Sequence, residues 1–320
     1  MKKLFDEIRS DLEIVEAELM EVVKAPDPLL TDTATHLIKA GGKRLRPAFS
    51  LLGAKFGDFE IKKVLPLAVA LELIHMATLV HDDVVDSAMT RRGALTVKAM
   101  WGNKISTHIG DHLFGQSLIL LSSYQGSIIP PVLADTSVKM CEGEIYQISA
   151  SYDTNQTLRD YFYRIKRKTA LLIAASSQLG AVACGASPKT HLALRRYGNH
   201  VGMAFQITDD ILDLTAEQKR LGKPIGGDIR QGIITLPVIY ALANSADRDH
   251  ILHLINKENK SDEEVFETIS IVKDCGGLEY SSRIAQRYIS KAKQELSPLP
   301  NIPVKETLET IADFISFRNF

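Results

Sequence analysis

The chain has 320 residues, 45% of them apolar, enough to bury a sizeable core and to exclude disorder over most of its length. Its 38 Lys and Arg balance 39 Asp and Glu, so no global field draws it to nucleic acid or anionic membrane, and any charge chemistry is local. Three cysteines, Cys141, Cys184 and Cys275, lie far apart without CxxC spacing, which argues against a disulfide framework or a thiolate metal site and fits a reducing cytoplasm.

In chain order, Leu4, Ile8, Leu12, Val15, Leu19 and Val22 recur at helical spacing, and Pro26 and Pro28 end that first helix. Its mixture of apolar and acidic residues is unlike a signal peptide. The segment from Val64 to Val80 is the most apolar stretch but contains Pro66, Glu72 and His75, so it reads as a buried core helix rather than a membrane span. Turn residues at Gly41-Gly42, Gly57-Asp58, Pro130-Pro131, Gly185 to Pro188, Leu221 to Pro224, Gly276-Gly277 and Ser297-Pro298 cut the chain into roughly ten or more helices. Alternating β-branched runs are almost absent, and no segment is long enough to be a linker; Asn256 to Glu264 reads as a surface connection. The expectation is one all-α domain spanning residues 1–320.

Shifting the chain by 127 residues lays Met76-Ala77 on Met203-Ala204 and Asp82-Asp83-Val84-Val85-Asp86 on Asp209-Asp210-Ile211-Leu212-Asp213. On a helix the first and fifth residues of such a pentad lie one turn apart on one face, so each copy offers a two-carboxylate claw. A single pentad could be a solvated helix end. Two copies among apolar neighbours, such as Leu79 and Val80 or Phe205 and Ile207, need cations instead. Oxygen-only ligands favour Mg²⁺, which shares its remaining positions with water and substrate phosphate. Complementary positive charge stands in Lys43, Arg44 and Arg46, in Arg91-Arg92, in Lys166-Arg167-Lys168 ahead of Thr169, and in Lys223. Gly41-Gly42-Lys43 lacks the other residues of a P-loop, and His108-x-x-x-His112 lacks a zincin glutamate, so neither a nucleotide triphosphate nor zinc is expected.

Gly41-Gly42-Lys43-Arg44-Leu45-Arg46-Pro47, the pentad at Asp82 with Arg91-Arg92-Gly93, and Gln206-Ile207-Thr208 ahead of the pentad at Asp209 resemble the trans-isoprenyl diphosphate synthases. Glu72 to Val80, Arg167 to Ala175 and Thr235 to Val238 are similar in detail to the catalytic subunits of the heptaprenyl-forming members. The resemblance implies a helical bundle around a central cavity, and repeated 1′-4 condensation of isopentenyl diphosphate onto an allylic diphosphate, expected to be farnesyl diphosphate. It implies Mg²⁺ as cofactor, about three ions, with Asp82, Asp86 and Asp209 as metal ligands and Asp83, Asp210 and Asp213 in support. Arg91, Lys168, Thr169, Gln206 and Lys223 would hold the allylic diphosphate, and Lys43, Arg46, His75 and Arg92 the isopentenyl diphosphate. It further implies a homodimer, or a heterodimer with a dissimilar small subunit, a cytoplasmic location, peripheral membrane contact for product release, and use of the product in a quinone such as menaquinone.

Ala77 and Thr78 lie one turn before the first claw, where a growing tail would pass, and both are small. Without an aromatic floor there, the expected product is C35, with C30 and C40 as alternatives. Two departures stand out: Gly232-Ile233-Ile234 lacks the lysine that many relatives carry, and the C-terminus offers only Arg318 as a closing cation. A terpene cyclase is disfavoured because its second motif normally carries Asn or Ser with Glu, and a non-catalytic partner subunit would have no use for both claws. A nucleic-acid-binding module would need a basic, aromatic-interleaved stripe that is missing.

Overall fold

The computed structural model describes residues 2–215 and 225–316. The first helix is divided: a 3₁₀ segment, Lys2–Ile8, kinks at Phe5 before α1, Arg9–Val22. Asp27 accepts a bond from the Leu29 N–H and Pro28 occupies the first turn of α2, Pro28–Lys39, so the prolines that end one helix begin the next. Then come α3, Leu45–Ala54, and α4, Ile61–Val85. A small hairpin, β1 Thr90–Arg91 and β2 Ala94–Leu95, precedes α5, Val97–Leu121, which Thr96 caps. The chain continues through α6, Ile129–Ser149, α7, Leu158–Ile165, a π-helical turn Lys166–Ala170, α8, Leu171–Ala183, and α9, Pro188–Thr215. The later helices are α10, Gly227–Arg230, α11, Leu236–Asn244, α12, Arg248–Ile255, α13, Asp262–Asp274, α14, Gly277–Leu296, and α15, Pro303–Ser316. Capping boxes at Thr157 with Asp160 and at Ser261 with Glu264 start α7 and α13.

The chain divides into two compact units that interleave in sequence. The first comprises Met1–Ser137, Leu172–Arg195 and Leu299–Leu308; the second comprises Val138–Leu171, Arg196–Pro298 and Glu309–Phe320. The first is built on α4, packed against α3 and α5, with Phe49, Leu52, Leu67, Leu71, Leu73, Ile109 and Leu113 all buried. That burial explains the composition of α4: it is long and apolar enough to cross a membrane, yet 67% of its most apolar stretch lies inside the protein. Pro66 removes one N–H from the helix, and the Tyr124 hydroxyl repairs the ladder beside it. That hydroxyl accepts from the Leu67 N–H at 3.1 Å and donates to the Lys63 carbonyl at 2.8 Å, and its burial pushes the phenol up to about 12. The second unit has its own core, in which Tyr161, Ile207, Ile211, Leu236, Ile255, Val265 and Val272 are buried together.

Candidate active site

In the first unit the site is built at the C-terminal end of α4. Helical spacing places Asp82 and Asp86 one turn apart, Asp82 half-buried and Asp86 exposed, whereas Asp83 turns inward and is only 2% exposed. The inward carboxylate is held by Arg91, whose Nε and Nη2 both donate to Asp83 Oδ1 at 2.8 Å. Arg91 comes from the hairpin, in which Thr90 pairs with Leu95 and Arg91 with Ala94. The two turn residues, Arg92 and Gly93, both have positive φ, 54° and 79°, as a tight two-residue hairpin turn demands. Glycine accepts that conformation without cost; Arg92 sits there under strain of about 1 kcal/mol.

Arg92 reaches from this turn to the Gly41 carbonyl, and a Cβ on Gly42 would stand 2.6 Å from its guanidinium, so Gly42 leaves room for the arginine. The loop from Gly41 to Arg46 and the hairpin thus meet. Around them lies an open cleft lined by His36, Arg44, Glu72, Met76, Leu79, Asp83, Arg91 and Arg92. Lys43, Arg46 and His75 flank the same region, each half-buried.

Burial holds the His75 imidazole well below its ordinary value of 6.5, and the nearby charges of Arg46, Arg92, Arg91 and Arg44 add to the depression. His75 is therefore neutral and can only contribute hydrogen bonds. On acidification through the ordinary value of 6.5, the unfolded chain takes a proton that the native imidazole refuses, so the stability His75 contributes is present above that pH and falls below it. His75→Gln is expected to flatten this acid limb in urea unfolding measured between about pH 7 and pH 5, and an unchanged slope counts against a neutral His75.

The second unit repeats the arrangement with different partners. Asp209 and Asp213 are half-buried, while Asp210 is 4% exposed and accepts from the Tyr161 hydroxyl at 2.6 Å and from Gln206 Nε2 at 2.8 Å. Burial pushes the Asp210 carboxyl up to about 6, against the pull of those two bonds and the charge of Arg164. Gln206 in turn accepts from the Thr169 hydroxyl at 2.6 Å. Thr169 and Lys168 belong to the π-helical turn, an irregularity often found at functional sites, and Lys168 pairs with Glu144 at 2.7 Å. Lys166 is exposed to solvent, and Arg167 lies over the Tyr163 ring and pairs with Glu142, so these two do not join the site.

Asp213 accepts from the backbone N–H groups of Gly227 and Asp228 at 3.2 and 3.1 Å. This brings in Asp228, which the sequence reading missed. Burial pushes its carboxyl well above the ordinary range, with the charges of Asp213 and Asp210 contributing. The available signal was the glycine pair ahead of it, Gly226-Gly227, whose first member has a φ of 71°. Lys223 lies outside the described residues, as does Arg318. Ala77 is buried at 2% exposure; Thr78 is half-buried and donates to the His75 carbonyl at 2.8 Å.

The donor set fits Mg²⁺. In each pentad the second carboxylate is buried and held by the protein; of the other four, Asp86 is exposed and Asp82, Asp209 and Asp213 are half-buried, with Asp213 also accepting the two backbone bonds. Among the described residues no three acidic, histidine or cysteine side chains form a ready-made metal cage. Two carboxylates one turn apart on a helix face suit an ion that completes its shell with water and phosphate oxygen. His108 is 79% exposed in its side chain, whereas His112 Nε2 is buried.

Residues 27–272 match the polyprenyl synthetase family. Component 2 of the heptaprenyl diphosphate synthase of Bacillus subtilis (strain 168) is 46% identical over 319 residues, covering 100% of this chain and 91% of its own. Heptaprenyl diphosphate synthase from Staphylococcus aureus superimposes with a TM-score of 0.92 at 34% identity, covering 98% of this chain and 99% of its own. A polyprenyl synthase from Caulobacter crescentus CB15, solved with calcium and isoprenyl diphosphate, gives a TM-score of 0.95 at 34% identity, covering 100% of this chain and 98% of its own.

Proposed function

Since this chain belongs to the polyprenyl synthetase family and is a prenyltransferase, we propose that it condenses isopentenyl diphosphate repeatedly onto farnesyl diphosphate to give all-trans heptaprenyl (C35) diphosphate for a quinone side chain. The observation that carries this reading is the pair of pentads, each with its middle carboxylate buried and fixed by the protein and its first and fifth carboxylates on one face, less buried than the middle one.

In this reading Asp82, Asp86 and Asp209 would hold about three Mg²⁺ ions, which would supply positive charge to the leaving diphosphate. Asp83, Asp210 and Asp213 keep the pentads rigid through their own bonds. Arg91, Lys168, Thr169 and Gln206 hold the allylic diphosphate, and Lys43, Arg46, Arg92 and neutral His75 hold the isopentenyl diphosphate. A single catalytic domain works in the cytoplasm, touching the membrane only to release its product. It assembles with a dissimilar small subunit, as the words "component 2" in the name of the Bacillus relative suggest, and homodimerisation is the alternative.

The test is incorporation of radiolabelled isopentenyl diphosphate by the purified chain with farnesyl diphosphate and Mg²⁺, with products sized by chromatography. C35 product from the chain alone supports a self-sufficient enzyme, and C35 product only after adding a second protein from the source organism supports the two-subunit form. No product under either condition overturns the proposal.

A further inference from the structure

The loop that meets Arg92 is not held by its own residues alone. Arg44 lies between Lys43 and the helix that carries Arg46, and its backbone is left-handed, with φ 47° and ψ 39°. A non-glycine residue persists there only when its surroundings over-determine the conformation. The surroundings of Arg44 do so. Its Nε and Nη2 donate to the two carboxylate oxygens of Glu16 at 2.7 and 2.8 Å, a fork that only a guanidinium can make. Nη1 donates to Glu72 at 3.0 Å, and Nη2 also reaches the Ile38 carbonyl near the end of α2 at 3.1 Å. The Arg44 side chain is 11% exposed and that of Glu72 only 3%. Four of its five N–H donors are thus committed to protein acceptors, so most of this arginine is spent on structure.

We propose that Glu16, on α1, is a positioning residue for the diphosphate-binding loop: through Arg44 it fixes the turn that sets Lys43 and Arg46 against isopentenyl diphosphate. The inference rests on the reading that those two residues bind that substrate. Glu16 precedes the residues that match the family, 27–272, so the relay ties the loop to a helix outside them. Glu16 itself is not needed to dock α1. Val15 and Leu19 on the same helix are buried, and Asp11 pairs with Lys55 at 2.9 Å. Replacing Glu16 removes the fork while the helix stays in place.

The experiment is steady-state kinetics of Glu16→Gln, Arg44→Lys and the double variant, each with whatever subunit the wild-type activity requires. Glu16→Gln should raise KM for isopentenyl diphosphate on the order of ten- to hundredfold, with kcat and KM for the allylic substrate unchanged. Arg44→Lys keeps the charge but loses the fork and should do the same. The double variant should be no worse than either single one, because both break one link. An unchanged KM, equal losses for both substrates, or effects that multiply in the double variant overturn the relay. Should wild-type enzyme fail to incorporate isopentenyl diphosphate at all, the functional reading itself fails and the relay with it, a result distinct from an active wild type with an indifferent Glu16 variant.

Discussion

Asp82→Asn and Asp209→Asn are each expected to lower kcat about 10³-fold with both substrates saturating, while the thermal unfolding midpoint stays where it is. The carboxylates at these positions are half-buried, whereas Asp83 lies in the interior, and Asn keeps their shape. On the proposed reading, each substitution weakens a carboxylate pair at which the leaving diphosphate's charge is met. Asp83→Asn is the contrasting case. Asp83 is 2% exposed and is the acceptor for both Arg91 bonds, so its loss should cost about 1–3 kcal/mol of stability and release the hairpin along with activity. Circular dichroism melts beside single-turnover rates separate the two kinds of carboxylate. Equal destabilisation of all three variants, or a fully active Asp82→Asn, would refute the division into outer and inner carboxylates.

Ala77→Tyr is expected to change the product rather than the rate, shortening it from C35 toward farnesyl length. Ala77 lies five residues before Asp82 on α4 and is 2% exposed, with Leu73 and Val80 buried about a turn to either side. A tyrosine here must take its volume from somewhere. Where the tail runs along this face the ring fills the tail's path and blocks growth, with little cost to the empty enzyme. Where the face is solid core the ring overpacks it, costing about 1–3 kcal/mol and leaving the product length unchanged. Reversed-phase chromatography of the products, with a thermal melt of the same preparation, separates these outcomes. Unchanged C35 product from a destabilised variant would overturn the channel argument.

The all-helical fold and the two acidic pentads were legible because both are matters of local spacing. Apolar residues recurring three and four apart mark helices wherever they later pack, and the prolines and glycines that cut the chain act on their own backbone. The pentad spacing likewise guarantees that Asp82 and Asp86 share a face. It does not say which carboxylate turns inward. Neighbours on a helix point about 100° apart, and the partner that satisfies Asp83 or Asp210 comes from another element. Arg91 reaches Asp83 from a hairpin whose two-residue strands are too short to show alternation. Tyr161 reaches Asp210 across 49 residues.

The sequence by itself determined the helical class, the buried nature of α4, the family-like order of motifs and the pairing of carboxylates at one-turn spacing. The tertiary structure decided the rest: that the first helix kinks at Phe5, that Arg92 occupies a left-handed turn, that Lys168 and Thr169 stand on a π-helical turn, and that Asp228 joins Asp213. It also decided that Arg44, which reads as one more phosphate-binding cation in a basic run, is committed to Glu16 and Glu72, each 28 residues away. The physical reason is range. Periodicity, capping and turn chemistry act over a few residues and are written in the chain, whereas the partner of a buried charge is fixed only when distant elements close around it, because there an unpaired charge is too costly to leave.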